Sequence, residues 1–246
     1  MRARARLVAV AEAGRTRLAT VRGEAPLLIR RTGTPGGTAQ VHLVGGAAGP
    51  LGGDQLTLEI DVGPGASLSV RTVAASVALP GPAGATSRVA VVARVAAGGR
   101  LAWLPEPLVA ASRCRHTATG RVTLAEGAAL VWRDELVCGR YGEAPGDVTV
   151  ALAVTYGGQL LLRQELSIGP AAPGWDGPAV LDGARATGSL LRVDPAWTAA
   201  PPAPATLSPT AAALPLAGPA VLTTATGPDA ATVRRHLDST PPGGDP

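Results

Sequence analysis

The sequence has no phenylalanine and no lysine, and only one methionine, two cysteines, two tyrosines and four tryptophans in 246 residues. Each scarcity excludes something. Without phenylalanine, the core has to be built from Val, Leu and Ala, which the 46% hydrophobic content can supply. With so few aromatics, and with arginines scattered rather than clustered, no patch mixes basic and stacking residues, so nucleic acid is not an expected partner. Without lysine there is no Gly-Lys-Ser/Thr phosphate loop. No apolar run is long enough to cross a membrane as a helix. The apolar run from Leu7 is broken by Glu12, so it is too short for a secretory signal core. The chain is therefore expected in the cytoplasm, with Cys114 and Cys138 as thiols.

All 22 basic residues are arginine, and Gly and Pro number 32 and 23. That bias reads as GC-rich coding, and it weakens the net charge of +4 as a functional signal. The N-terminal Arg2, Arg4 and Arg6 alternate with alanines, as on a strand with one solvated face.

A seven-residue phrase recurs: Val or Leu, two residues, Gly, a small residue, any residue, Leu. It reads "VGPGASL" from Val62, "VAAGGRL" from Val95, "LAEGAAL" from Leu124 and "VTYGGQL" from Val154. Its first glycines, Gly65, Gly98, Gly127 and Gly157, are 33, 29 and 30 residues apart, a repeat-like period. Alternating apolar residues flank each phrase: Leu56, Leu58 and Ile60 before the first, Leu130 and Trp132 in the third. Each phrase reads as strand, glycine turn, strand. The expected architecture is all-β: stacked antiparallel hairpins or layered sheets with a solenoid-like repeat and one or two short helices.

The clearest helix signal is Ala230 to Leu237, capped by Asp229 and closed by Arg234, Arg235 and His236, charges that suit the helix dipole. The Pro- and Ala-rich stretch Trp197 to Pro215 reads as loop or extended chain. Residues 1–240 are read as one domain and 241–246 as a frayed tail. The glycine-rich "GGAAGPLGGDQL" is followed by the alternating "LTLEIDV", a strand and not a helix, so its glycines serve turns and close approach rather than phosphate binding.

Several motifs together resemble the urease accessory protein D family (UreD, also called UreH). They are "GPLGGDQLTLEIDVGPGASLSVRTVAAS", with Gly52, Gly53 and Thr72; "GGRLAWLPEPLV", with Pro105; and "GAALVWRDELVCGRYGE", with Gly139 and Arg140. They span roughly residues 40–147. The sequence departs from the family after Thr72, where Gln, Lys and an aromatic are missing, and it is shorter between Leu79 and Arg88. The resemblance implies an all-β scaffold rather than an enzyme. It also implies work with accessory proteins F and G on apo-urease, no tightly bound cofactor, and transient Ni²⁺ passing through a water-filled passage. Weak, exchangeable oxygen ligands suit such a cargo. The acids at or near the motifs are Asp54, Glu59, Asp61, Glu135 and Glu143, with Asp54 and Glu143 first.

Other readings stay open at this level. Asp54 after two glycines equally suits an Asx-turn. Glu59 and Asp61 suit a solvated strand face, and Arg140 with Glu143 a local ion pair. Asp134 and Glu135 are adjacent, so on a strand they face opposite ways and do not form a carboxylate pair. Cys114-x-His116, with Cys138, falls short of a four-ligand zinc pattern, and no Gly-x-Ser-x-Gly elbow appears. A carbohydrate-active β-repeat protein or a plain β-sandwich binding module are the rival functions; the first would want clustered acids, exposed aromatics and secretion.

Overall fold

The computed structural model describes residues 1–33, 35–200 and 202–239. In chain order its strands are β1 (Arg2–Glu12), β2 (Arg15–Gly23), β3 (Leu27–Gly33), β4 (Ala39–Gly45), β5 (Gln55–Val62), β6 (Ser67–Thr72), β7 (Ser76–Ala78), β8 (Ser87–Val95) and β9 (Arg100–Leu104). They continue with β10 (Leu108–Ala110), β11 (Arg115–Leu124), β12 (Ala129–Val137), β13 (Asp147–Tyr156), β14 (Gln159–Ile168), β15 (Ala186–Val193), β16 (Ala205–Ser208), β17 (Ala211–Pro215) and β18 (Ala220–Gly227). One α-helix, α1 (Ala230–Asp238), follows.

Two sheets face each other. Sheet A runs β14-β13-β11-β8-β5-β1-β2, and sheet B runs β16-β17-β18-β15-β12-β9-β6-β4-β3. The centre of each is parallel and in register: Val62 pairs with Val95, and Val95 with Leu124, in sheet A, while Leu68 pairs with Leu101, and Leu101 with Leu130, in sheet B. The all-β, stacked and solenoid-like expectation holds. The pairing sense does not. The first three glycine phrases are arches that carry the chain from sheet A to sheet B (β5 to β6, β8 to β9, β11 to β12), so the strands they join face one another instead of pairing. Each arch plus its return makes one coil of about 30 residues, which is the origin of the sequence period.

The arches stack glycine on glycine. Gly65, Gly98 and Gly127 all have positive φ (67°, 70° and 79°), a conformation that costs a side chain dearly, and the Gly98 N–H donates to the Gly127 carbonyl at 3.1 Å. The fourth phrase is the hairpin the sequence suggests, β13 pairing antiparallel with β14. There the register moves by two residues: Leu124 pairs with Tyr156, not Val154, and the Tyr156 hydroxyl accepts from the Gly127 N–H at 3.0 Å, ending the stack.

The inward faces of both sheets supply the core. Leu7, Ile60, Leu68, Leu101, Leu124, Leu130, Trp132, Leu152 and Leu191 are all buried. Each such side chain contributes roughly 1.5–3 kcal/mol on leaving water. Trp132 stacks on Trp103 with ring centroids 5.4 Å apart. Opposite them, a Cβ on Gly120 would lie 2.8 Å from the Trp132 ring and 2.7 Å from Leu152, so glycine there makes room for the indole.

Helix α1 lies where the sequence puts it, with the Asp229 carboxylate accepting from the Thr232 N–H at 2.7 Å. Its Val233 and Leu237 pack on the outer face of sheet B with Leu190 and Ala225. Within the stretch from Trp197 to Pro215 the extended reading holds over two short strands. A short 3-10 turn ends at Thr198, and β16 and β17 extend sheet B beyond β18. Tertiary pairing overrides the weak strand propensity of alanine here. The tail from residue 240 lies outside the described residues.

Candidate functional site

A cavity of about 280 Å³ lies between the sheets. Val91, His116, Ala118, Val150 and Gln164 line it from sheet A, and Trp103, Trp132, Asp134, Leu136, Thr187 and Ser189 from sheet B. Most of this lining is apolar, and its polar groups are few and placed. Strand β12 alternates inward from Leu130 through Trp132, which brings Asp134 to the inner face. The Trp132 Nε1–H donates to Asp134 Oδ2 at 2.8 Å. Burial raises the Asp134 pKa to about 6, against the indole hydrogen bond that lowers it. Asp134 as a residue is half-buried and borders the cavity.

His116 lies on the facing wall. Its Nδ1 is 2.8 Å from the Ser87 hydroxyl, and burial lowers its pKa to about 4, so the ring is neutral near pH 7. Gln164 of β14 donates through Nε2 to the Ser189 hydroxyl of β15 at 3.0 Å, tying the two sheets across the gap.

Sheet B is interrupted beside this point. Strand β9 ends at Leu104, and β10 takes up pairing with β12 only at Leu108, opposite Leu136. The intervening Pro105 and Glu106 join the cavity lining, as does Glu135. On the outer side Arg234 of α1 spans both acids. It bonds Glu135 through Nε (3.1 Å to Oε1) and through Nη2, and reaches Glu106 through Nη1 at 3.0 and 3.1 Å. Glu135 is buried and also lies 3.7 Å from Arg133. The Glu135 hydrogen bonds, first, push the Arg234 pKa up. The sequence reading treats Arg234 only as a dipole charge, and nothing local in the sequence announces a contact 99 residues away.

The five acids chosen from sequence are not brought together. Asp54 is buried, accepting from the Leu51 N–H at 2.9 Å and from the Met1 ammonium at 2.5 Å. Burial pushes its pKa up, but the ammonium and the Leu51 amide outweigh that and the net shift is downward. Glu59 and Asp61 lie on the outer face of sheet A, where Asp61 pairs with Arg6 at 3.0 Å and Arg94 at 3.6 Å. Glu143 chelates the Arg140 guanidinium at 2.7 and 2.8 Å, and that bond takes its pKa down to about 2. Only Glu135 borders the cavity. Among the described residues no group of three or more His, Cys, Asp and Glu is placed to hold a metal ion.

The motif residues have structural places. Gly52 donates to the Leu79 carbonyl at 3.0 Å, and Gly53 follows it with φ of 95°. Thr72 accepts from the Glu106 N–H at 2.9 Å, fixing the segment that interrupts sheet B. The Pro105 carbonyl accepts from Arg133, and Gly139 (φ 87°) opens the turn that sets Arg140 against Glu143. Cys114 and Cys138 are free buried thiols with pKa values pushed up to about 11 by burial. No helix among the described residues is long and apolar enough to cross a membrane.

Comparison with known proteins agrees over nearly the whole length. The family model described as UreD urease accessory protein matches residues 1–240. Urease accessory protein UreD of Streptomyces avermitilis is 49% identical over 226 residues, covering 92% of this chain and 90% of its own. The UreD protein of Streptomyces coelicolor is 46% identical over 240 residues (97% and 94%), and that of Parafrankia sp. 45% over 260 residues (97% and 87%). The chain belongs to the UreD urease accessory protein family.

Proposed function

We propose that this chain is a non-catalytic scaffold in the cytoplasm that joins accessory proteins F and G to apo-urease, and that Ni²⁺ crosses it through the cavity between its sheets. Family membership supports the urease side of this reading. The observation that supports the passage is the cavity itself, with the Asp134 carboxylate set into a mostly apolar lining.

A divalent cation loses much of its hydration between two protein layers, and one fixed negative charge offsets part of that cost. The Asp134 carboxylate, with hydroxyl and amide oxygens from Thr187, Ser189 and Gln164 nearby, gives weak, exchangeable oxygen ligation. Both thiols lie outside the cavity lining, and His116, whose Nδ1 is held by Ser87, is the one imidazole in it. The cation would therefore meet no thiolate and a single imidazole, too few soft ligands to trap it. Glu135 stands at the interrupted edge of sheet B, held by Arg234. Asp54, Glu59, Asp61 and Glu143 stand away from the cavity lining, and transit is not assigned to them.

Co-purification tests the scaffold directly. Tagged chain co-expressed with the urease operon should retain accessory protein F and apo-urease through washing. A chain recovered alone would leave the plain binding-module reading in its place.

A further inference from the structure

Sheet B has an opening beside its central strand. Strand β12 pairs with β9 as far as Trp132, opposite Trp103, and with β10 from Leu136, opposite Leu108. On that side Arg133, Asp134 and Glu135 have no strand partner among the described residues. Three residues of unpaired edge make about 10 Å of strand. The next row breaks at the same level: β6 ends at Thr72, and β7 starts at Ser76, which pairs with Leu108. The inter-sheet cavity reaches this opening. Pro105, Glu106 and Leu108 on one side of it, and Asp134, Glu135 and Leu136 on the other, all belong to the cavity lining.

Two arginines cross the opening. Arg133 donates to the Pro105 carbonyl at 3.3 Å and lies 3.7 Å from Glu135. Its side chain is 8% exposed, so it is a fixed part of the frame. Arg234 crosses farther out. Its guanidinium takes Glu106 with Nη1 and Glu135 with Nε and Nη2, one acid from each side of the break. The Arg234 side chain is 29% exposed and so partly open to water.

The helix that carries Arg234 is held by other contacts. Gly188 of β15 pairs with Glu135, and a Cβ on Gly188 would lie 2.9 Å from Val233 and 3.0 Å from Leu237. Helix α1 therefore sits down on the sheet beside the opening through its two buried residues, and Asp229 caps its first turn. A partly exposed arginine side chain changes rotamer without any shift of the backbone that bears it. The movable part of this closure is the side chain and not the helix.

Charge decides what the opening admits. With both arginines in place, Glu106 and Glu135 are balanced. With Arg234 turned outward, the rim keeps two acids against Arg133 alone, and Asp134 stands behind them at the cavity. Acidic rims favour cations. An arriving cation also takes over the attraction of the two carboxylates that holds Arg234, so it competes with the guanidinium directly, whereas an anion or a neutral molecule does not.

We propose that Arg234 is a side-chain gate in sheet B, which covers the opening to the inter-sheet cavity and turns aside in exchange for an incoming cation. This rests on the reading of that cavity as a cation path, and it gives the path a mouth.

The test uses the full purified chain with Trp175→Phe and Trp197→Phe, so that all tryptophan emission comes from Trp103 and Trp132 in the cavity lining. Caesium and iodide serve as contact quenchers of opposite charge. Arg234→Gln should raise the quenching constant for caesium at least about threefold and that for iodide by less than about 1.5-fold. Arg234→Lys keeps the charge but loses the fork that spans both acids, so it should fall between, and it serves if the glutamine variant does not fold. Val233→Ala loosens α1 but keeps the guanidinium, and should leave both constants near those of the parent. Unchanged caesium quenching in the Arg234 variants would overturn the gate. So would equal rises for caesium and iodide, or a rise in Val233→Ala as large as in Arg234→Gln, since either would mean simple loosening. The measurement involves neither nickel nor urease. Selective caesium entry together with urease loading that ignores Asp134 would remove the passage and leave the gate, and the reverse pattern would remove the gate alone.

Discussion

Trp132 and Asp134 stand two residues apart on the inward face of β12, and the indole N–H of one donates to the carboxylate of the other at 2.8 Å. The bond holds an acid in a lining that also includes Trp103, Val91, Val150 and Leu136. It fixes the direction of a carboxylate that borders the cavity.

This pair and His116 give the fold two opposed pH responses. The Asp134 pKa is raised from 3.8 to about 6, so its contribution to stability is present below pH 4 and is lost as pH rises through 6. The His116 pKa is lowered from 6.5 to about 4, so its contribution is present above pH 6.5 and is lost as pH falls through 4. In the unaltered chain the two slopes nearly cancel across that window. Asp134→Asn should expose the histidine slope, with stability rising by about 3 kcal/mol from pH 4 to 6.5, and His116→Gln should show the opposite trend. Urea denaturation at a series of pH values checks this; parallel pH profiles for both variants would refute it.

Arg234 is expected to be the main tie between α1 and sheet B. Removing it leaves Glu135 buried beside Arg133 alone, a loss of about 3 kcal/mol. Replacing Arg234 with leucine and Glu135 with glutamine should cost less, because the buried carboxylate is neutralised while the amide oxygen can still accept from Arg133. Thermal denaturation of the single and double variants makes the comparison. A double variant worse than Arg234→Ala would show that the pair itself, rather than the avoided orphan, sustains the helix.

Much of this was legible from residues alone, and the failures have specific causes. Alternation placed the strands, and the glycine phrases marked each turn, but a hairpin and an arch share the same pattern of period two around a glycine. Four residues, Gly63 to Ala66, separate β5 from β6, and only the stacking of Gly65, Gly98 and Gly127 shows that the strands face each other. The opposite orientation of Asp134 and Glu135 was also readable. Which one faces inward followed from the phase set by Leu130 and Trp132. Asp54, Asp61 and Glu143, singled out by the family motifs, are tied to neighbouring cations instead. The bond between Arg234 and Glu106 joins residues 128 positions apart, a pairing no local pattern carries.

The half-buried Glu143 offers a simpler check on the Arg140 turn. Glu143→Gln removes the two-pronged bond to Arg140 but leaves its own carbonyl accepting from Arg185 at 2.7 Å. The change should therefore cost under about 1 kcal/mol, the usual worth of a surface ion pair. Chemical denaturation measures it, and a loss several times larger would make the turn a structural keystone.

The central claim is that nickel passes between the sheets beside Asp134. The most direct measurement is the nickel content of urease purified after co-expression with the Asp134→Asn chain, which keeps the side-chain shape and an oxygen to accept from Trp132 but removes the charge. Nickel per urease site is expected to fall several-fold, while the variant still co-purifies with accessory protein F and apo-urease. Fully loaded urease from an assembly containing the Asp134→Asn chain would contradict the passage.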